Sequence, residues 1–153
     1  LVNTFSPQEV ANTIWAFVKT GIVNNKLADA LAERAMQPGV ARHMISQNIA
    51  NIAWAFAKVG IMHHRLMETL ADRSLQPGVL STFHSQTVSN MAWAWATLGI
   101  RDTKLMNALA NQARVPSVLA NFNSQEVANT VWAFAKTGVV HPEMMDALAE
   151  RAQ

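Results

Sequence analysis

Amide, cation and carboxylate side chains recur along this sequence at fixed intervals, and each set implies a different chemistry. Gln8, Asn12 and Lys19 return as Gln47, Asn51 and Lys58, then as Gln86 and Asn90 with Thr97 in the third place, then as Gln125, Asn129 and Lys136. An Asn or Gln amide presents donors and an acceptor together, and a Lys ammonium presents donors with a charge. Repeated at equal spacing, such groups suit a polymeric ligand, with the ammonium groups set against phosphates. A second set varies between its copies: Ser6, Glu9 and Thr13 correspond to Ile45, Asn48 and Ile52, to His84, Thr87 and Met91, and to Asn123, Glu126 and Thr130. Constant residues that hold a backbone, beside variable residues that meet changing units, are the pattern of a modular reader. Single-stranded RNA is a ligand of that kind, because its unstacked bases can be read one per helical repeat by two or three side chains. The alternative reading is structural: the Asn and Gln columns bond neighbouring backbone and lock repeat to repeat, as buried polar groups must find partners. For the lysines the alternative is a solvated face.

Other candidates for chemistry carry less. Asp29 and Glu33 sit four apart, as a general acid–base pair would. They recur as Glu68 and Asp72, as Asn107 and Asn111, and as Asp146 and Glu150. Carboxylates copied in three of four units, with Lys26 and Arg65 nearby, read as a solvated outer face. His63 and His64 are adjacent and point apart in a turn, whereas helical metal ligands sit at i, i+4. His43, His84 and His141 do not improve that spacing, and no metal site is expected. The chain has no cysteine, which excludes thiolate metal sites, a cysteine nucleophile and disulfides. No phosphate-binding loop, dinucleotide fingerprint or nucleophile elbow is present. The expectation is a protein that is not an enzyme, with no cofactor and no small-molecule substrate.

The elements that must position these residues follow from a repeat. Trp15, Trp54, Trp93 and Trp132 are each 39 residues apart, and the chain aligns with itself at that shift without insertion or deletion. FSPQEVANTIWAFVKTG at Phe5 to Gly21 returns as FNSQEVANTVWAFAKTG at Phe122 to Gly138. A period of this size is the signature of a solenoid. Each unit reads as two helices. The first opens at Ser6 or Asn123 with a capping acid three residues on, while Ser46 and Ser85 take the cap one residue later in the middle repeats. It ends at Gly21, Gly60, Gly99 or Gly138. The second, typified by Asn24 to Ala35, carries Leu27, Leu31 and Ala35 on one stripe and stops before Pro38, Pro77 or Pro116. The Pro38-Gly39 and Pro77-Gly78 pairs mark turns into the next unit. No stretch alternates with period two. The expected fold is all-α: an α-solenoid of four 39-residue helix–turn–helix repeats, about eight helices, with repeats near 1–39, 40–78, 79–117 and 118–153.

Seven columns are identical in all four copies: those beginning at Gln8, Asn12, Trp15, Ala16, Gly21, Leu31 and Ala32. On a helical wheel Val10, Ile14, Phe17 and Val18 form the core side of the first helix. Gln8, Asn12 and Lys19 cluster opposite, within about 40°. Ser6, Glu9, Thr13, Ala16 and Thr20 form a continuous stripe beside them. Trp15 lies at the edge of the apolar face, where packing against the neighbouring unit is expected over stacking on bases. Trp95 replaces the phenylalanine of Phe17, Phe56 and Phe134, which reads as core. The methionines read as gap fillers.

At these residues the sequence resembles the octotricopeptide repeat family of helical-repeat RNA-binding proteins. The motif stands as Val10-Ala11-Asn12-Thr13-Ile14-Trp15-Ala16-Phe17 and again from Val127 to Phe134; the middle repeats keep the Asn and Trp-Ala but put Ile52 and Met91 for Thr. The resemblance spans essentially the whole chain. It implies sequence-specific binding of single-stranded RNA, through the first helix of each pair, in organellar RNA stability, processing or translation, in a chloroplast or mitochondrion. Nothing here matches the nuclease-like C-terminal domain proposed for some members.

Composition bounds the rest. The chain has 153 residues, half of them hydrophobic and 14% charged, which excludes disorder. No apolar run reaches the roughly 18 residues of a membrane span, so no membrane partner is expected. The chain begins Leu1-Val2-Asn3 without an initiator Met, and no terminal repeat has a polar capping face. A piece of a longer array is therefore expected, with any targeting segment upstream. The formal charge of +2 is slight for a nucleic-acid binder and favours the competing function, a protein-interaction scaffold. The two readings part at Lys19, Lys58 and Lys136: beside the Asn column they serve RNA, while paired with carboxylates elsewhere they serve a scaffold.

Overall fold

Proline, small capping residues and glycine divide the chain at the same places in every repeat. The computed structural model describes residues 1–153 and contains helices and turns only. After a 3-10 turn at Val2–Thr4, α1 spans Pro7–Thr20, α2 Asn25–Met36 and α3 Pro38–Ala41. The second repeat gives α4 (Ser46–Val59), α5 (His64–Ser74) and α6 (Pro77–Leu80). The third gives α7 (Ser85–Thr97), α8 (Thr103–Ala113) and α9 (Pro116–Leu119), and the fourth α10 (Ser124–Thr137) and α11 (Pro142–Arg151). The all-α solenoid expected from the repeat is therefore the observed fold, with eight long helices. The single-turn helices α3, α6 and α9 are additional, where plain turns at the Pro-Gly segments are the expectation. Proline takes the first helical position there, because its fixed φ suits a helix and its missing N–H removes no bond.

Local chemistry sets the ends. In α1 the Ser6 Oγ accepts from the Glu9 N–H at 3.3 Å, while the Glu9 carboxylate accepts from the Ser6 N–H at 2.8 Å. Asn123 and Glu126 repeat this box at α10. The middle repeats differ from expectation. Ser46 and Ser85 are the first helical residues, and the cap positions are Ile45 and His84. The buried residue ahead of the cap, Met44 or Phe83, fixes where the helix begins. At α4 only the return half of the box remains, the Asn48 Oδ1 accepting from the Ile45 N–H at 3.2 Å. The first helices are followed by glycine in the left-handed region, with φ between 68° and 72° at Gly21, Gly60, Gly99 and Gly138.

The second helices share another device. Asn24, His63, Asp102 and His141 occupy one column, and each side chain accepts the N–H three residues on, at 3.0, 3.2, 2.9 and 3.3 Å. His63 and His141 do so through Nδ1, so their place in the sequence is explained by capping. At the other end, Arg34, Arg73 and Gln112 donate to the carbonyls of Phe5, Met44 and Phe83 at 2.7, 3.0 and 2.8 Å. Each of these bonds ties the end of a second helix to the start of its own first helix.

Packing joins the units. The first helices stand side by side, α1 against α4, α4 against α7 and α7 against α10, and each also packs on its own second helix. Between the two layers lie Leu31, Phe56, Leu66, Leu70, Trp95, Leu105, Leu109, Phe134 and Leu148, all buried. The second-helix acids Asp29, Glu33, Glu68 and Asp72 are exposed, as an outer face requires. Glu33 reaches His63 and Arg65 of the next repeat, in weak surface pairs. No helix is long and apolar enough to cross a membrane.

Leu70 is fully buried between the layers. Leu70→Ala is expected to lower unfolding stability by about 2–5 kcal/mol, measured by urea denaturation followed by circular dichroism. A change within experimental error would show that the inter-layer core is not what the packing describes.

Candidate functional site

A first helix in the middle of the row has neighbours on both flanks and a second helix beneath. In α4 the residues Asn48, Ile49, Ala50, Ile52, Ala53, Ala55, Phe56 and Ala57 are all buried. What faces outward is Gln47, Asn51, Trp54 and Lys58, the two ends exposed and the middle pair half-buried. In α7 the equivalent arc is Gln86, Asn90, Trp93 and Thr97, again with the middle pair half-buried. α1 and α10 present Gln8, Asn12, Trp15 and Lys19, and Gln125, Asn129, Trp132 and Lys136. The predicted constant columns therefore share one surface. Four arcs of amide, indole and cation stand beside each other on the first-helix layer.

The tryptophans depart from expectation in part: Trp54 and Trp93 pack against the hydrophobic core, while Trp15 and Trp132 do not. Trp15 is 44% and Trp132 45% exposed, and Trp54 and Trp93 are half-buried, so the indoles belong to the surface arc. Trp95, by contrast, is 1% exposed, in the core as expected. The signal for the arc was present in the sequence: at 100° per residue Trp15 falls within about 60° of Gln8, Asn12 and Lys19. The Lys19 ammonium lies 5.2 Å from the centroid of Trp15 and 6.0 Å from that of Trp54 in the next repeat. One cation thus bridges two indoles across a repeat boundary, an attraction of ring quadrupole and charge. The amides interlock as well. The Gln8 Nε2 donates to the Asn12 Oδ1 at 2.7 Å, and the Gln8 Oε1 accepts from the Asn48 Nδ2 at 3.0 Å. At this boundary Gln8 also serves the alternative reading, locking one repeat to the next. Lys19, Lys58 and Lys136 form no ion pair with a carboxylate.

The variable stripe does not form a reading face. Asn48, Ile52, Thr87, Met91 and Thr130 are at most 3% exposed, because that stripe meets the flank of the preceding first helix. Ser6, Glu9, Asn123 and Glu126 are occupied in capping boxes. Ile45 and His84 are exposed, but at the cap positions of their helices, outside the arc. Thr13 is half-buried on the flank of α1. The base-reading role expected of this stripe is corrected for the residues that stacking buries or that capping boxes engage, while Ile45 and His84 stay exposed without a side-chain bond to the helix backbone. Thr130 carries a buried hydroxyl without a hydrogen-bond partner, in a column that holds Ile52 and Met91 in the middle repeats.

Two-layered helical repeats with one constant polar and aromatic surface define the class of this protein. The chain matches the family model of the RNA-editing substrate-binding complex 6 protein over residues 1–114 and again over 42–153. The ends of the two matches differ by one repeat length, as expected when a periodic model fits a periodic chain in two registers. Together they cover the whole chain, which belongs to that family. No curated protein matches the chain.

Glu9 offers a titration test of the helix start that positions the first arc. The Ser6 N–H bonded to its carboxylate, and secondarily the Ser6 hydroxyl, hold the Glu9 carboxyl below its ordinary value against a small desolvation effect. A carboxyl lowered on folding favours the folded state above its ordinary value. The contribution disappears as pH falls through the lowered folded value. Ser6→Ala is expected to move the Glu9 titration part-way back up in an NMR pH series, and no upward movement would contradict the capping assignment.

Proposed function

We propose that this chain binds single-stranded RNA along the arcs of its first helices and acts as a binding module, not as an enzyme. The observation that carries the proposal is the composition of those arcs. In every repeat the outward surface of the first helix holds a tryptophan, an asparagine and a glutamine, with a lysine in three repeats. An exposed indole gives a base a surface to stack on, the amides offer donors and acceptors, and unpaired lysines attract phosphates. Membership of a family named for an RNA-editing substrate-binding complex supports an RNA ligand, and so does the likeness to octotricopeptide repeats. The organellar setting that this likeness implies is part of the same proposal.

A protein partner is the second reading, and the formal charge of +2 favours it. Retention of short single-stranded RNA at several salt concentrations separates the two. Three lysine–phosphate contacts predict a log–log salt slope near ~2, since each contributes about 0.7 on single strands. Replacing Lys19, Lys58 and Lys136 together by alanine is expected to bring that slope close to zero. Trp132→Ala, at an exposed indole, is expected to weaken binding by about 1–3 kcal/mol while the chain stays folded. RNA retention indifferent to all four substitutions would move the ligand elsewhere. Absence of retention by the folded chain would favour the protein partner.

A further inference from the structure

We infer that the array contacts RNA through features common to every nucleotide and carries no repeat-by-repeat base code. The inference rests on the RNA-binding reading above and concerns how that surface discriminates. A code needs side chains that differ between repeats and face the ligand. Along the outward arc the two properties are separated; the helix-start column Ser6, Ile45, His84 and Asn123 is exposed and differs in every repeat, but lies outside that arc. The columns of the arc are the constant ones: glutamine, asparagine and tryptophan are the same in all four repeats, and Thr97 alone departs from the lysine column. Apart from Ile45 and His84 at the helix starts, the differing residues of the neighbouring stripe are mostly spent on stacking or capping. Asn48, Ile52, Thr87, Met91 and Thr130 are buried, and Glu9 and Glu126 close capping boxes. Each repeat therefore offers the ligand nearly the same surface.

The chemistry of that surface is itself indifferent to base identity. An indole stacks on the π-face that every base has, and an ammonium meets the phosphate that every nucleotide has. The amides, the groups most able to read a base edge, are partly committed within the protein. Gln8 donates to Asn12 and accepts from Asn48. The Lys19 ammonium between Trp15 and Trp54 places charge at the boundary between two stacking sites, where a backbone passing from one base to the next would run. The ligand class that fits is single-stranded RNA with unpaired, stackable bases and no required sequence.

The experiment compares the folded chain on short adenosine, cytidine and uridine homopolymers and on a random-sequence pool, with retained species sequenced. The inference expects affinities within about threefold of one another, because stacking is sequence-tolerant, and no enriched motif. A motif of mixed bases, or one homopolymer preferred by about a hundredfold, as base-edge hydrogen bonds would produce, overturns the inference and leaves the RNA-binding reading intact. Failure to retain any RNA overturns both. Two column swaps add a second readout. Ile52→Thr gives the second repeat the residue of the first and fourth, and Thr130→Val removes the unpartnered hydroxyl. Ile52→Thr is expected to lower the melting temperature and Thr130→Val to raise it, each with the RNA preference unchanged. An altered base preference in the folded Thr130→Val chain overturns the inference even if Ile52→Thr does not fold.

Discussion

The side-by-side packing of the first helices is the constraint on which the rest of the structure depends. A helix with a neighbour on each flank and a second layer beneath it keeps only one arc in contact with solvent. Small residues line these flanks: Ala50, Ala53, Ala55 and Ala57 in α4, and Ser89, Ala92, Ala94 and Ala96 in α7, all buried. A larger side chain on a packed flank would push adjacent helices apart and strain the row. The sequence of a middle repeat is consequently committed at most of its first-helix positions. Whatever such a helix does for function, it does through the Gln, Asn, Trp and Lys columns, through the ends of the helix, or not at all.

Constant repeat length keeps those arcs aligned. Arg34, Arg73 and Gln112 reach back to the carbonyls of Phe5, Met44 and Phe83, residues that sit at the same place in each unit. Asn24, His63, Asp102 and His141 start the second helix at the same place in each unit by one hydrogen bond from different side chains. The residue type changes where only an acceptor atom is required. A Gly holds its column where a left-handed backbone is required, since an L side chain there is strained. Different tolerances at equivalent positions thus trace back to whether an atom or a conformation is being specified.

The fold was legible from the sequence because a repeat of fixed length restricts every unit to one solution. Helix starts at Ser6 and Asn123, helix stops at the glycines and the buried Leu31, Leu70, Leu109 and Leu148 stripe all follow from local chemistry and period. The site was less legible, for a geometric reason. A helical wheel divides a helix into an apolar side and a polar side, while a helix within a row has three buried sides. Thr13 and Glu9 look polar, as do Thr130 and Glu126 in the fourth repeat, where Thr130 is nonetheless buried beside α7. Ile52 and Met91 in the same column as Thr13 are the sign that this stripe is covered. Trp15 reads as core because tryptophan is large and apolar, although its angle sets it with Gln8, Asn12 and Lys19. Proline reads as a boundary, and its second property, a backbone already suited to the first turn of a helix, produces α3, α6 and α9.

The slight net charge is shared about equally between the first helices and the rest of the chain. Asp29, Glu33, Glu68, Asp72, Glu143, Asp146 and Glu150 all lie on second helices, and Asp102 caps one. On the first-helix layer the acids are Glu9 and Glu126, both at helix starts and both bonded to backbone N–H groups. The lysine column at the other end of those helices is unpaired. The second-helix acids are matched by cations such as Lys26, Arg34, Arg65, Arg73, Lys104 and Arg151, so the formal +2 is not concentrated on the first-helix surface. Three cations remain a small number for a polyanion, and the field they produce is screened within roughly 10 Å at ordinary salt. An RNA ligand held here gains little from long-range attraction and depends on short-range contact with the indoles. The cation–π placement of Lys19 between Trp15 and Trp54 combines both terms at one point. On the proposed RNA-binding reading, the tryptophan column, constant in all four repeats while the lysine column is not, would then contribute most to binding.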